Sequence, residues 1–181
     1  MMYHFTGSTL RDGRPIPPIG EWLEYDGIIK MCKSGLHASP TPWTALQYAP
    51  GQFLHRVELE GDLIEHENDK SVGRRRKIVA TIDATDLLRR FARSVALKVI
   101  HLWDAPAVVR EYLETGDESK RDAARAAARD AARAAARAAA WAAARDAAWD
   151  AAWAAARDAA RAEYAAMFNE MVEQAFAEVK P

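Results

Sequence analysis

The amino-acid sequence predicts an α+β fold: a small mixed domain of several strands with helices, followed by one long alanine-rich α-helix. Two observations support this prediction. All nine glycines lie at or before Gly116, and alanine makes up more than half of residues 121–166. Segments with strand character come first and segments with helix character follow, as in α+β proteins. We therefore expect an α+β domain over residues 1–116 and a long helix over residues 117–181.

The strand predictions rest on alternation and on turn residues. Residues 2–6 are a first strand, and residues 11–20 form an irregular loop because proline and glycine recur in them. Residues 53–59 are the clearest strand, since apolar and polar residues alternate along them. Residues 35–39 are predicted to form a turn. Two further strands are predicted at residues 28–32 and 77–82.

Capping residues place the helices of the first domain. Thr41 suits an N-cap and Pro42 suits the first helical position, so a helix is predicted to begin there. Residues 85–102 are apolar along one face and predict a second helix. Pro106 is expected to open a third helix, and Gly116 is well placed to end it as a C-terminal cap.

The alanine-rich segment carries large residues at a spacing of four. Arginine or tryptophan recurs at this spacing between residues 121 and 161, and each step advances about 40° around a helix of 3.6 residues per turn. The tryptophans therefore gather on one sector. An apolar stripe follows over residues 164–179, which the first domain, a returning helix or another subunit must cover.

These features predict a homo-oligomer, because exposed apolar area on this scale marks an interface. A spacer that arose by repeat expansion is the alternative. The residues expected to contact a second copy or another partner are Trp141, Arg145, Trp149, Trp153, Tyr164, Met167, Phe168, Met171 and Phe176.

Charge and composition exclude several classes of function. The chain has 25 basic and 26 acidic residues, so it lacks the basic footprint of nucleic-acid binders. No apolar run approaches membrane length, so no membrane partner is expected. Cys32 is the only cysteine, which rules out an intrachain disulfide. We expect a cytoplasmic protein, in the host cell if a phage encodes it.

The histidines and the basic run are the candidates for chemistry. The five histidines lack a paired metal-ligand spacing, so neither a metal nor a cofactor is expected. A phosphate loop, a dinucleotide fingerprint and a nucleophile elbow are all absent. Residues 74–77 are four successive cations beside a glycine and can hold phosphate. The candidate ligand-binding residues are His4, Thr6, His37, Trp43, Arg74, Arg75, Arg76 and Lys77.

Two short segments resemble the ADP-ribosyltransferase fold. They are Tyr-His-Phe-Thr-Gly at residues 3–7 and Gly-Leu-His-Ala-Ser at residues 35–39, before a helix with Trp43 and Tyr48. In that fold an early strand offers a histidine, and a later segment packs an aromatic side chain beside the nicotinamide. The resemblance implies an enzyme. Its catalytic residues would be His4, Tyr48 and Glu58, with Glu60 and Glu65 as alternatives for the acid.

Longer stretches resemble proteins of phages and bacteria. Residues 32–39 (Cys-Lys-Ser-Gly-Leu-His-Ala-Ser), 43–51, 57–62 and 69–78 are similar to an uncharacterised domain that recurs in phage and prophage proteins. The segment from Trp103 into the Ala-Ala-Arg and Ala-Ala-Trp repeats is similar to the tails of bacterial proteins described as immunity proteins. These resemblances imply an accessory protein of a mobile element that acts in conflict between phage and host.

The leading hypothesis is a non-enzymatic, anti-defence binding protein. It would oligomerise through its long helix and capture a host protein or an anionic, nucleotide-type small molecule. The alternatives are the ADP-ribosyltransferase-like enzyme and a structural assembly protein.

Overall fold

A computed structural model describes residues 1–66, 69–142 and 150–179, with side chains for residues 1–66, 69–135 and 157–179. The strands are β1 (Met2–Thr6), β2 (Trp22–Glu24), β3 (Leu36–Ala38), β4 (Phe53–Glu60), β5 (Ile64–His66), β6 (Lys70–Gly73) and β7 (Arg75–Asp83). The α-helices are α1 (Pro42–Leu46), α2 (Thr85–Val99), α3 (Ala107–Thr115), α4 (Arg121–Ala142) and α5 (Asp150–Glu178). Short 3₁₀ turns occupy Ile100–Leu102 and Glu118–Lys120.

Two small antiparallel sheets accompany the helices, so the fold is mixed, as the sequence predicts. The four-stranded sheet has the order β1-β4-β7-β2, and the three-stranded sheet has the order β3-β6-β5. A bulge in β7 shifts its register against β4 between Arg56 and Val57.

Three of the predicted strands are confirmed: residues 2–6, 53–59 and 77–82 lie in β1, β4 and β7. The strand predicted at residues 28–32 is wrong. The chain reverses there, because Lys30 donates its backbone N–H to Ser34 O at 3.0 Å and Cys32 takes a positive φ of 62°. The prediction of a turn at residues 35–39 is also wrong for the three central residues, because Leu36–Ala38 form strand β3.

The strands β2, β5 and β6 escape the sequence prediction because they are only three or four residues long. A strand of this length has no alternation to detect, and its neighbours in the sheet determine its conformation. The helix predictions fare better. Thr41 caps α1 through a capping box, and Gly116 ends α3 with φ 69°, a left-handed conformation that glycine adopts without strain.

The four-stranded sheet has two faces with different coverings. We call one the histidine face: His4, His55 and Thr81 are register partners across three strands there. Val57 and Ile78 continue this face and pack with Ala38 of the three-stranded sheet. We call the other the helix face. Its residues include Tyr3, Phe5, Leu54 and Arg56, which alternate with those of the histidine face.

The last turns of α5 cover the helix face. Phe168 and Val172 are fully buried, and the ring of Phe176 lies 6.4 Å from that of Tyr3. Glu173 accepts hydrogen bonds from the Tyr3 hydroxyl and from the guanidinium of Arg56. The chain itself therefore covers this part of the apolar stripe, which is one of the alternatives expected from the sequence.

Contacts divide the chain into two compact units: a strand unit of Met1–Leu87 with Ala165–Pro181, and a helical unit of Leu88–Tyr164. The compositional boundary at Gly116 is therefore not the boundary between the units. In the helical unit, α3 packs on α4, and the guanidinium of Arg93 lies where a side chain at Gly116 would be.

The alanine-rich segment is helical in α4 and α5, over 22 and 29 residues. The predicted continuity of one helix depends on residues 143–149, which lie outside the described residues. In the part of the chain that the structure describes, no helix is long and apolar enough to cross a membrane.

Candidate anion-binding site

The four cations of the basic run separate onto different sides of the fold. Arg75 and Lys77 lie on the helix face of β7, where each packs against the ring of Trp22 at 4.5 and 4.7 Å. Each also pairs with a carboxylate: Arg75 with Glu24, at 3.1 Å, and Lys77 with Glu58, at 2.6 Å. Both cations therefore have a carboxylate partner, and both side chains are partly exposed to solvent. Such ion pairs are typical of a solvated row of charges on a sheet surface.

The first cation of the run, Arg74, is also neutralised. It lies between β6 and β7, and its Nε donates to Asp62 Oδ2 at 2.6 Å. Its Nη1 donates to Gly27 O at 2.8 Å, so the side chain links two loops. These contacts assign Arg74 a structural role.

Arg76 differs from its three neighbours. It lies on the histidine face, is only 7 % exposed, and donates from Nη1 to the backbone oxygen of His37 at 2.6 Å. Burial lowers the pKa of its guanidinium to about 10. None of the residues that the structure describes brings a carboxylate to it. A buried charge without a counter-charge is costly, because desolvation is not offset by attraction.

His4 on β1 lies on the same face of the sheet as Arg76. Burial lowers the pKa of His4 well below its usual range, and the positive charge of Arg76 is the next cause. His55 and His37 lower it further, so each charged neighbour that shifts this pKa is a basic group. Among the described residues, none hydrogen-bonds to the imidazole of His4. His4 and Arg76 therefore both retain hydrogen-bonding capacity on the histidine face.

His55 on β4 is fully buried, and each of its ring nitrogens has a hydrogen-bond partner. Its Nε2 lies 2.8 Å from Thr6 Oγ1, and its Nδ1 lies 2.8 Å from Thr81 Oγ1. Because Thr6 donates its hydroxyl to Gly7 O, the ring satisfies every partner as the neutral tautomer with its proton on Nε2. Burial lowers the pKa of His55 to about 4, and Arg76 contributes to the shift.

His37 on β3 is half-buried. Its Nε2 accepts the backbone N–H of Cys32 at 3.2 Å, so this nitrogen carries no proton. Burial lowers its pKa, a hydrogen bond with the backbone of Gly35 raises it in part, and the charges of Lys70, Arg76 and Arg11 lower it further. The charged groups that shift the pKa of His37 are therefore all positive.

We call the set of His4, His37, His55 and Arg76 the basic site. It offers one guanidinium and one unengaged imidazole. A phosphate, sulfate or carboxylate group complements such a surface, because it accepts hydrogen bonds from both and neutralises the guanidinium. A shallow pocket lies in the same unit. Its lining residues are Met2, Pro40, Glu65, Lys70 and Ser71. Met2 shares the histidine face with His4, two residues away, but no residue of the basic site lines the pocket.

Of the eight predicted ligand-binding residues, the structure joins Arg76 to the backbone of His37, and it joins Thr6 to His55, the register partner of His4. Thr6 is buried and acts through His55. Trp43 is not in the site, since its ring packs on Phe168 of α5 with centroids 6.2 Å apart. Arg74, Arg75 and Lys77 are also elsewhere, because neighbouring strand residues alternate between faces and sides.

The three residues implied for an ADP-ribosyltransferase do not meet. Glu58 lies on the helix face and pairs with Lys77, whereas His4 lies on the histidine face. Tyr48 is 49 % exposed and donates its hydroxyl to Asp69 Oδ2 at 2.5 Å. The alternative acid Glu60 pairs with Arg75 on the helix face, and Glu65 lines the shallow pocket.

The expected interface residues of the long helix divide into two groups. Phe168 and Phe176 are buried within their own chain, so the prediction that they contact a partner is wrong. Tyr164, Met167 and Met171 are half-buried. The side chains of Trp141, Arg145, Trp149 and Trp153 lie outside the described residues.

The sequence reasoning missed the roles of His55 and Thr81 in this site. A signal was present in the alternation of residues 53–59, which places His55 among the apolar residues of its strand and therefore on a buried face. His55 lies opposite His4 only because of the register of β1 against β4, which the sequence does not reveal. Within the described residues, no group of three histidine, cysteine or acidic side chains could hold a metal ion.

Residues 1–90 match the model of a family described as a domain of unknown function, DUF7666. The match runs from β1 into α2 and includes every residue of the basic site. No curated protein and no solved structure matches the chain.

Proposed function

We propose that the chain is a non-enzymatic binding protein whose strand unit captures a small anionic ligand of the nucleotide type at the basic site. One observation carries the proposal: Arg76 is nearly buried and meets no carboxylate among the described residues. The other three cations of the same run each meet a polar or acidic partner. A ligand that carries a phosphate group would supply the missing negative charge.

The chemistry of the side chain suits this ligand. A guanidinium presents several N–H donors in a planar fork, and the fork matches two oxygens of one phosphate group. One donor of Arg76 is already engaged by His37 O, which fixes the orientation of the fork before any ligand arrives. The imidazole of His4 offers a further donor on the same face of the sheet.

The positive surroundings support the same ligand class. Arg11, Lys70 and Arg76 are the charged groups that shift the pKa of His37, and none of them is acidic. Unscreened positive potential at a partly closed site raises the local concentration of anions and the rate at which they bind. Lys70 also lines the shallow pocket, where it can contact a second part of the ligand.

Calorimetry on the full chain tests the proposal with inorganic sulfate, inorganic phosphate and a series of nucleotides as probes. The variant Arg76→Gln removes the buried charge. Arg75→Gln is the matched control, because it removes a charge from the adjacent residue on the opposite face. We expect Arg76→Gln to weaken binding roughly 10- to 150-fold, since hydrogen bonds to charged groups contribute about 1.5–3 kcal/mol. Arg75→Gln should bind as the parent does.

Absence of binding for every anionic probe in the parent protein contradicts the proposal. Equal losses in Arg76→Gln and Arg75→Gln would also contradict it, because a non-specific effect of charge would then explain the result.

We propose further that the alanine-rich segment is one continuous helix that pairs with a second copy. The support comes from the sequence, in the sector of tryptophans at residues 141, 149 and 153, and from the helical conformation of α4 and α5 on either side. Light scattering on the purified protein should report a dimer or a larger assembly. Replacing the three tryptophans by alanine should shift it to monomer without loss of helical content. A monomeric parent protein would contradict this part.

The setting that we propose is conflict between phage and host, on the strength of the sequence resemblances. Capture of an anionic signal or a host protein would then weaken a defence response. Expression in a host with a nucleotide-signalled defence should raise the plating efficiency of a sensitive phage, and Arg76→Gln should abolish the effect. Equal plating with and without the protein contradicts this setting.

A further inference from the structure

We infer that the helix face of the strand unit is a docking groove for an amphipathic helix, and that the last turns of α5 exchange there between two copies of the chain. Each copy then covers the helix face of the other. This exchange is independent of any anion at the basic site. The contacts of residues 168–176 with the strands and with α1 support it, and so does the position of α5 outside the family domain.

An apolar stripe anchors the last turns of α5 in this groove. The ring of Phe168 is fully buried and lies edge-on to that of Trp43 on α1, with centroids 6.2 Å apart. The ring of Phe176 lies 6.4 Å from that of Tyr3, and Val172 is fully buried. The three residues of α5 are spaced by four, so they form one stripe along the helix. Helices that dock in grooves are anchored by side chains at this spacing.

Polar contacts fix the position of the helix along the groove. Asn169 accepts the backbone N–H of Trp43 at 2.8 Å through its Oδ1. Glu173 accepts hydrogen bonds from the Tyr3 hydroxyl and from the guanidinium of Arg56. The side chain of Glu173 is 50 % exposed, so this ion pair lies at the rim of the contact. The groove therefore matches a carboxylate at one position of the helix.

The segment that covers the helix face comes from outside the family domain. The family match ends at residue 90, whereas the covering segment joins the strand unit as residues 165–181. Residues 88–164, which form the helical unit, connect the two parts of the strand unit. An identical chain carries the same helix with the same side chains, and exchange of an identical element is a low-cost route to a dimer. A second copy is therefore the partner that fits this groove.

The covered state also carries a cost. The guanidinium of Arg56 lies over the ring of Phe176 at 4.5 Å, and its Nε is buried without a hydrogen-bond partner. A buried donor without a partner destabilises the contact in which it is found. The gain from the apolar stripe is reduced by this cost, which favours a cover that exchanges over a permanent one.

Charge reversal across the pair of Arg56 and Glu173 tests the exchange in the full chain. Arg56→Glu and Glu173→Arg each place like charges together, so the thermal midpoint of each variant should fall by roughly 4–8 °C. An equimolar mixture of the two variants restores both ion pairs only when each chain covers the other. We expect the incubated mixture to recover most of the loss, with a midpoint that rises with protein concentration as a dimer requires.

Two controls make the mixture specific. The double variant Arg56→Glu/Glu173→Arg restores the reversed pair within one chain and should recover by itself. The pair of Glu58 and Lys77 lies on neighbouring strands of the same sheet face, so it cannot exchange. A mixture of Glu58→Lys and Lys77→Glu should keep the midpoints of its components. Pairing through the tryptophans alone leaves the reversed charges together. An Arg56→Glu and Glu173→Arg mixture that keeps the midpoints of its components, beside a recovered double variant, overturns the inference.

A labelled peptide of residues 163–181 gives a second measurement that does not require the charge variants to fold. Phe176→Ala in the full chain weakens its own cover, so we expect the peptide to bind this variant about tenfold more tightly than the parent, because the groove is more often open. The same peptide with Phe168→Ala should bind neither protein. Absence of peptide binding to both proteins overturns the inference. Sulfate titrations test the basic site separately, so a failure there contradicts the proposed anion capture alone.

Discussion

The two faces of the four-stranded sheet differ in whether their basic side chains have acidic partners. On the helix face, Arg75 and Lys77 meet carboxylates and the ring of Trp22, and Arg56 meets Glu173. On the histidine face, Arg76 is more deeply buried than any of these and donates to a backbone carbonyl oxygen instead. The cations of the helix face therefore have counter-charges within the chain, although the buried Nε atoms of Arg56 and Arg75 lack a hydrogen-bond partner. On the histidine face, no carboxylate among the described residues meets Arg76.

This comparison separates stability from function. Ion pairs and hydrogen bonds whose two partners both belong to the chain contribute to folding. A buried charge without a counter-charge lowers stability and is typical of a functional site. Substitutions on the helix face should therefore change the free energy of unfolding more than ligand binding. Substitutions at the basic site should do the reverse.

The largest expected effect is on the helix face. Phe168→Ala removes a fully buried aromatic ring between α5 and the strands, and substitutions of this kind typically cost about 3–5 kcal/mol. Urea denaturation should show this loss, and Met167→Ala, at the half-buried neighbouring position, should cost clearly less. Equal losses at the two positions would show that the last turns of α5 do not complete the core of the strand unit.

The next effect comes from the histidine face and depends on pH. The pKa of His55 is about 4 in the folded protein, against an ordinary value of 6.5. Between pH 6.5 and about 4, His55 is protonated in the unfolded chain but neutral in the folded protein. The free energy of unfolding therefore falls as the pH is lowered through this range. A shift of this size corresponds to about 3 kcal/mol at about 1.4 kcal/mol per pH unit.

Urea denaturation at pH 7 and at pH 4.5 measures this loss. Carboxylates on the helix face also titrate toward the lower pH, so the parent is compared with His55→Gln, which retains a polar side chain between Thr6 and Thr81 but does not titrate. The variant should lose less stability than the parent over the same interval. Identical losses in the two proteins would exclude His55 as the cause.

A smaller effect on stability is expected at Arg76 itself. Replacement of a buried ion by an apolar side chain of similar volume is often neutral or stabilising. Arg76→Met also loses the hydrogen bond to His37 O, which offsets part of the gain. We expect the midpoint of thermal unfolding to stay the same or to rise. Sulfate should raise the midpoint of the parent and leave that of the variant unchanged. A clear fall in the midpoint of Arg76→Met would mean that the residue serves the fold.

The smallest effect is expected at the exposed end of the helix face. Glu58→Gln breaks the ion pair between Glu58 and Lys77. The side chain of Glu58 is 41 % exposed and that of Lys77 is 23 % exposed. Pairs of this kind contribute about 0–1 kcal/mol, and salt screens them. The difference in stability from the parent should fall further as the salt concentration is raised in thermal unfolding. A loss above this range would show that this row of charges is a significant part of the fold.

Much of the fold follows from local signals. Alternation gives β4, prolines and glycines give the loop over residues 11–20, and Thr41 and Gly116 give two helix ends. Each signal is contained in a few neighbouring residues, so it survives without knowledge of the partners. The short strands β2, β5 and β6 lack such a signal, because three or four residues are too few to show alternation.

The candidate site shows the same division. The sequence provides the ingredients: an early histidine, a buried-looking His55, and a basic run with the chemistry for phosphate. As one run, however, residues 74–77 look equivalent. Their difference appears only once residues 75–77 join a strand, because alternation then sends Arg76 to one face and its two neighbours to the other.

By itself, the sequence determined the mixed class, the position of three strands, several helix ends and the helical nature of the alanine-rich segment. Only the tertiary structure decided that His4 and His55 are partners, that Arg76 is buried on the same face of the sheet, and that the last turns of α5 belong to the strand unit. The physical reason is range. Conformational preference and capping act over one or two turns, whereas register, burial and the loss of a counter-charge depend on residues brought together from far along the chain.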